Sequence, residues 1–224
     1  KRRYRKYTIA GLAQLMKHHS VGELESVFLG NHEPSFDFIN HFCETFGVNR
    51  NWLIEGKEAP FRNSDEAHYD PIEYLNEIEN LKPNKLYFIR SASEVGEVFL
   101  LLKFSDHKYK IISRVWHISD HVGAGGQSQI LGMYRLILAL QKSKFGLSCG
   151  GRILKEENFN DLLYGEVFPG SIIDFPAQEN PWWDDFVDVY HKYPISSNYA
   201  SLYGNGFIAA QSIVRLKLEE IKER

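Results

Sequence analysis

Apolar residues recur at helical spacing through the first third of the chain and give way to aromatic and β-branched runs beyond it. Ile9, Leu12, Ala13 and Met16 follow an i, i+3, i+4, i+7 pattern behind Thr8, which predicts a capped helix with one buried face. Lys17, His18 and His19 break the pattern. Ser20, with Glu23 three residues on, then forms a capping box for a second helix lined by Val21, Leu24, Val27 and Phe28 and stopped by Gly30. Ser35 caps a third helix, striped by Phe36, Ile39, Phe42, Cys43 and Phe46 and ended by Gly47. Asn49 caps a fourth, which carries Trp52, Leu53 and Ile54 to Gly56. Four short helices with tight connections predict an all-α unit over residues 1–62.

Residues 63–69 are polar and aperiodic and read as a linker. Asp70 before Pro71, with Glu73 in the first turn, starts a connector helix whose Ile72, Leu75, Ile78 and Leu81 share a face and which Pro83 ends. Six acids, Asp65, Glu66, Asp70, Glu73, Glu77 and Glu79, face one Lys82 across residues 63–84, so this spacer is acidic and would repel DNA.

From residue 85 to 224 the pattern predicts a mixed α/β domain, making the chain α+β overall. Lys85–Ser91, Val95–Phe104 and Tyr109–Ile118 read as strands, the last two an antiparallel hairpin turning at Ser105 to Lys108. Gln129–Gln141 is an amphipathic helix. Leu147–Leu154 reads as a further strand, residues 160–164 as a short turn, residues 172–175 as a segment able to pair with the sheet, and residues 185–190 as helical. A C-terminal helix from about Phe207 to Arg224 places Phe207, Ala210, Val214, Leu218 and Ile221 on one side, for core packing or for a dimer contact.

Composition narrows the class. With 43% hydrophobic and 25% charged residues in 224, the chain is globular and long enough for two cores. The net charge of −3 gives no global basic field, so any nucleic-acid contact must come from a local patch. Cys43 and Cys149 fall in different units, which points to a reducing compartment over a disulfide framework. No apolar run suits a membrane span and no signal-peptide pattern is present, so a cytoplasmic place and no membrane partner are expected. The chain opens at Lys1 without methionine, and further residues are expected upstream.

Three stretches of the helical unit, Gly30-Asn31-His32-Glu33-Pro34-Ser35, Phe46-Gly47-Val48 and Asn51-Trp52-Leu53-Ile54-Glu55-Gly56-Lys57 with Pro60-Phe61, resemble the phage-repressor (Cro-type, xenobiotic-response-element) helix-turn-helix family. The resemblance covers residues 8–61. It implies a DNA-binding unit, with Ser20 capping the recognition helix and Val21, Gly22, Glu23, Glu25 and Ser26 facing the groove, and Asn31 beside them. The chain departs from the family in having His18 at the usual turn glycine and a connection one residue longer, and Glu23 and Glu25 bring negative charge toward phosphates. Glutamate can accept from cytosine N4, which leaves direct readout open. From Tyr7 to Arg62 four basic residues stand against seven acidic, and only KRRYRK, with Arg2, Arg3, Arg5 and Lys6, makes the unit basic. Since phosphate contacts supply most non-specific affinity, that arm should dominate binding.

These features lead to an expected transcriptional regulator, a repressor in the first instance. It would bind double-stranded operator DNA as a homodimer in a bacterial, nucleoid-associated setting, with a C-terminal domain that dimerises or senses a small-molecule or protein effector. The alternative is a protein-interaction adaptor that keeps the fold without DNA readout. No enzyme activity, cofactor or metal is expected, and no Gly-x-Ser-Met-x-Pro-like segment of a self-cleaving repressor peptidase is present. Three weak features remain. Gly123 to Ser128 reads first as a flexible turn and second as an anion cradle, His107, His117 and His121 as a remote metal candidate, and Cys149 as structural more than reactive. Trp116, Trp182, Trp183, Tyr190, Tyr193, Tyr199 and Tyr203 could line a pocket, though most are expected in the core.

Overall fold

Each capping residue named above opens a helix in the computed structural model, which describes residues 7–17, 20–61, 70–120, 123–143, 148–174, 180–191 and 198–222. The Thr8 hydroxyl accepts from the Gly11 amide at 3.0 Å and starts α1 (Ile9–Leu15). Ser20 accepts from Glu23 N–H at 3.4 Å and starts α2 (Val21–Phe28). Ser35 and Asn49 do the same for α3 (Phe36–Phe46) and α4 (Arg50–Glu55). Such caps satisfy amides that have no partner inside the helix. Gly30 and Gly47 stop their helices in the left-handed region, at φ +74° and +66°.

Ala13, Met16, Leu24 and Phe46 form the small core of this unit. His41 Nε2 donates to the Met16 carbonyl at 2.6 Å and ties α3 to the end of α1. The packed faces of α2 and α3 differ from the predicted stripes, and on α2 Val21 and Phe28, expected beside Leu24, are 46% and 48% exposed. Phe36 is 68% exposed, and the packed edge of α3 runs through Phe38, Phe42 and Phe46, whose rings follow one another at 6.5 and 4.8 Å. On α4, Trp52, Leu53 and Ile54 are all exposed, because the helix is too short to wrap a face onto the core.

The connector helix α5 (Pro71–Leu81) is capped by Asp70, which accepts from Ile72 N–H at 2.7 Å. Tyr74 and Ile78 are its fully buried residues, while Ile72 faces solvent. They join the larger core, so α5 is packed into the sheet unit.

That unit is built on a four-stranded sheet of order β3-β2-β1-β4, from β1 (Lys85–Ser91), β2 (Glu97–Lys103), β3 (Tyr109–His117) and β4 (Cys149–Leu154). β1, β2 and β3 pair antiparallel, and β4 runs parallel to β1. Both central strands are buried on both faces, which explains their nearly continuous apolar sequence. Leu86, Phe88, Val98, Leu100 and Leu102 face one layer with α5, α6 (Gly123–Lys142), α9 (Trp182–Phe186), α10 (Asn198–Tyr203) and α11 (Asn205–Lys222). Tyr87, Ile89, Phe99 and Leu101 face the other, with α7 (Glu156–Leu163) and α8 (Gly170–Ile173). The result is a helix–sheet–helix sandwich beside a helical unit, and the α+β class holds.

Several sequence expectations need correction. Gly123 to Ser128 are the first turns of α6 and not a flexible turn. The turn expected at 160–164 is the end of α7, and the strand-like segment at 172–175 begins within α8, where Ile173 packs into the second core. The helix expected at 185–190 starts at Trp182 and passes into a 3-10 turn over Asp188–His191. The glycines of 123–128 carry no apolar period and read as a turn, while the segment at 172–175 is a short apolar run whose periodicity cannot separate helix from strand.

The two units meet along the start of β3 and the α7–α8 region. A Cβ at Gly47 would lie 2.8 Å from the Tyr109 carbonyl oxygen, so the close approach as well as the backbone conformation requires glycine. Phe46 meets His107 edge to face at 5.7 Å. Phe61 packs on Phe168 at 5.6 Å, and its amide donates to the Gly165 carbonyl at 2.9 Å.

Candidate nucleic-acid interface

α1 and α2 form the helix pair on which a DNA-reading surface would rest. Leu24 is fully buried beneath α2, against the core that holds Ala13 and Met16, and this single anchor sets which side of α2 turns outward. On the outward side Ser20, Val21, Gly22, Glu23 and Glu25 are exposed, Val21 to 46%. Ser26, placed with them from the sequence, is half-buried. Its carbonyl accepts from Asn31 N–H at 2.8 Å and from His32 N–H at 3.2 Å, closing the turn after α2. Asn31 is exposed at that turn. Ser20, Val21, Gly22, Glu23 and Glu25 are therefore all accessible, Val21 and Glu25 on one side of α2 and Glu23 on another, while Ser26 is half-buried. Arg2, Arg3, Arg5 and Lys6, like His18, lie outside the described residues.

The electrostatics of this surface are acidic. Among the described residues of the helical unit the cations are Lys17, Arg50 and Lys57. Arg50 Nε donates to Asn40 Oδ1 at 2.8 Å, and Lys57 pairs with Glu55 at 2.7 Å. Phe28 and Leu29, 48% and 64% exposed, extend the α2 surface with apolar area.

The weaker candidates of the sheet unit resolve into packing. His117 donates from Nδ1 to Gln129 Oε1 at 2.8 Å and lies 3.8 Å from Glu97, while His107 packs on Phe46; His121 lies outside the described residues. Among the described residues no three His, Cys, Asp or Glu side chains gather as a metal site would need. Burial pushes the Cys149 thiol up to about 12, with Lys85 opposing and Asp184 adding to the shift. A thiol so shifted is a poor nucleophile at neutral pH. Trp116 and Trp182 are fully buried and Trp183 stacks on Phe88 at 5.3 Å. Tyr199 and Tyr203 pack on Phe207, with their hydroxyls donating to Asp188 and Asp185. These five aromatics are core, and Tyr193 and the side chain of Tyr190 lie outside the described residues.

Sequence reading missed two polar features. Lys103 Nζ meets Asp106 and Asp174, each at 2.9 Å, and Tyr109 donates its hydroxyl to Asp174 at 3.0 Å. Burial opposes the charge on Lys103, yet its hydrogen bonds with Asp174, Asp106 and Tyr109 raise its pKa on balance. Arg90 is 4% exposed and donates from Nη2 to the Tyr203 carbonyl at 3.0 Å. Only strand position gave a signal for either.

No helix among the described residues is long and apolar enough to cross a membrane. Searches of protein families, curated proteins and solved structures return no match to the chain.

Proposed function

We propose that the chain is a sequence-specific DNA-binding transcriptional regulator, a repressor, that binds operator DNA as a homodimer. The observation that carries this reading is the uncovered outer surface of α2, held by the Ser20 cap and by Leu24 of α2 packed with Ala13 and Met16, in the position that the helix-turn-helix resemblance assigns to the recognition helix. Arg2, Arg3, Arg5 and Lys6 supply the phosphate contacts that α2 lacks. Ser20 and Asn31 position that surface, and Glu23 and Glu25 read bases by accepting from cytosine N4. The sheet unit supplies dimerisation and effector sensing. In α11, Phe207, Ala210 and Val214 are spent on the core, whereas Leu216 and Ile221 are 60% and 52% exposed and remain for a second copy. A cytoplasmic, nucleoid-associated place follows from this role, and no catalytic residue is assigned. The test is a low-salt mobility-shift screen of the full chain against the DNA upstream of its own gene. A shift that a Glu23→Gln variant redirects to other sequences supports the reading, and no shift of any fragment overturns it.

One observation favours a second reading, the adaptor. One exposed side of α2 presents Glu25 with Val21, Phe28 and the following Leu29, a surface suited to a basic amphipathic segment of another protein. Under that reading Glu25→Gln would leave DNA behaviour unchanged and weaken a protein complex.

A further inference from the structure

The helical unit and the sheet unit leave an open cleft of about 620 Å³ where α3 and α4 approach α5 and β3. That volume falls within the roughly 300–1,000 Å³ of small-molecule sites. Its apolar walls come from both units, Val48 from the turn after α3, Leu81 from the end of α5 and Phe104 from the end of β2. Its charges are unequal. Arg50, Lys108 and Lys110 line it against one acid, Glu44. Lys110 is partly neutralised by Glu77, 3.5 Å away, and Arg50 is held toward Asn40 through Nε. Lys108 lies 5.7 Å over the Phe104 ring, so a cation and an apolar wall are side by side. The Tyr109 hydroxyl is committed to Asp174.

We infer that this cleft binds a small organic anion whose flat apolar body lies between Val48, Leu81 and Phe104 and whose acid group meets Lys108 and Arg50. Apolar walls give area and the two lining cations give the sign of charge, the usual division of labour in small-ligand sites. Because the lining comes from both units, such a ligand bridges them, and its binding stands or falls without reference to DNA.

The probe is 1-naphthoate, titrated into the full chain by calorimetry, with neutral 1-naphthalenemethanol beside it. Saturable binding of one naphthoate per chain is expected, at least tenfold tighter than the alcohol. Lys108→Glu and Val48→Trp, which reverse a charge and fill the cleft, should each weaken naphthoate at least tenfold. Lys155→Glu, an equal charge change on the exposed start of α7, should not. Thermal melts of each variant establish folding, and Arg50→Gln replaces Val48→Trp if the tryptophan does not fold. Absence of saturable binding, equal affinity for the alcohol, or native affinity in Lys108→Glu overturns the inference.

Discussion

At the scale of single residues, two buried groups show how the sheet unit handles ionisable side chains. Arg90 sits among Tyr203 and Phe207 with its Nε unpaired, and burial pulls its pKa down to about 10 against the opposing influence of Tyr203. Among the described residues Arg90 meets no carboxylate, and a buried cation so placed costs desolvation that its hydrogen bond to the Tyr203 carbonyl offsets only in part. Arg90→Met is therefore expected to leave unfolding stability within about 1 kcal/mol of the native chain or to raise it. A loss above about 3 kcal/mol in urea denaturation would show that Arg90 has a stabilising partner. Cys149 is the opposite case, a group kept neutral. With its pKa pushed from 9.0 up to about 12, its contribution to stability is full below the free-thiol value and is lost as pH rises from 9 toward 12. At pH 8 iodoacetamide should label Cys149 in the folded chain about 100-fold more slowly than in urea, read by mass spectrometry of the tryptic peptide. Comparable rates would return the thiol to the reactive class.

At the scale of elements, what could be read from sequence was local. Thr8, Ser20, Ser35, Asn49 and Asp70 each announce a helix because the cap bond closes within three residues of the capping side chain. The strands were legible because both faces of β1 and β2 are buried, which writes an apolar run. α8 was not, since four residues carry no period, and neither was α4's failure to bury Trp52, which depends on how far a neighbour reaches. The Lys103–Asp174–Tyr109 cluster joins residues 65 and 71 positions apart, beyond any pattern along the chain. On α2 the apolar pattern was right for Leu24 but not for Val21 and Phe28, which are exposed because the small core reaches only one turn of the helix; the accessible Ser20, Val21, Gly22, Glu23 and Glu25 are named by the family resemblance, and Ser26, named with them, is half-buried. Packing of elements also yields a prediction. Gly132 lets α6 lie flat on Trp116, since a Cβ there would come within 2.6 Å of a ring carbon. Gly132→Ala should gain helix propensity yet destabilise the protein by about 1–3 kcal/mol through overpacking. An alanine variant as stable as the native chain would contradict that packing.

At the scale of the whole molecule, the helical unit docks to the sheet sandwich and leaves α2 open. Gly47 lies at the joint, needed for its φ of +66° and for clearance to the Tyr109 carbonyl. Gly47→Ala is expected to cost about 1–3 kcal/mol by this combined strain. The loss should appear as an earlier melt of the helical unit in far-ultraviolet circular dichroism, and an unchanged melt would mean that the joint tolerates a side chain. The proposed DNA reading makes the sharper demand. The acidic surface of α2 can recognise bases only if KRRYRK supplies the phosphate contacts, so affinity must depend on salt through that arm. The decisive measurement is fluorescence anisotropy of a labelled operator fragment across salt concentrations, for the native chain and for one with Arg2, Arg3, Arg5 and Lys6 changed to Gln. The account predicts tight, salt-sensitive binding by the native chain and a log–log salt slope smaller by up to about four in the variant, near 0.9 per lost contact. Equal slopes and affinities for the two chains, or no binding by either, would contradict it.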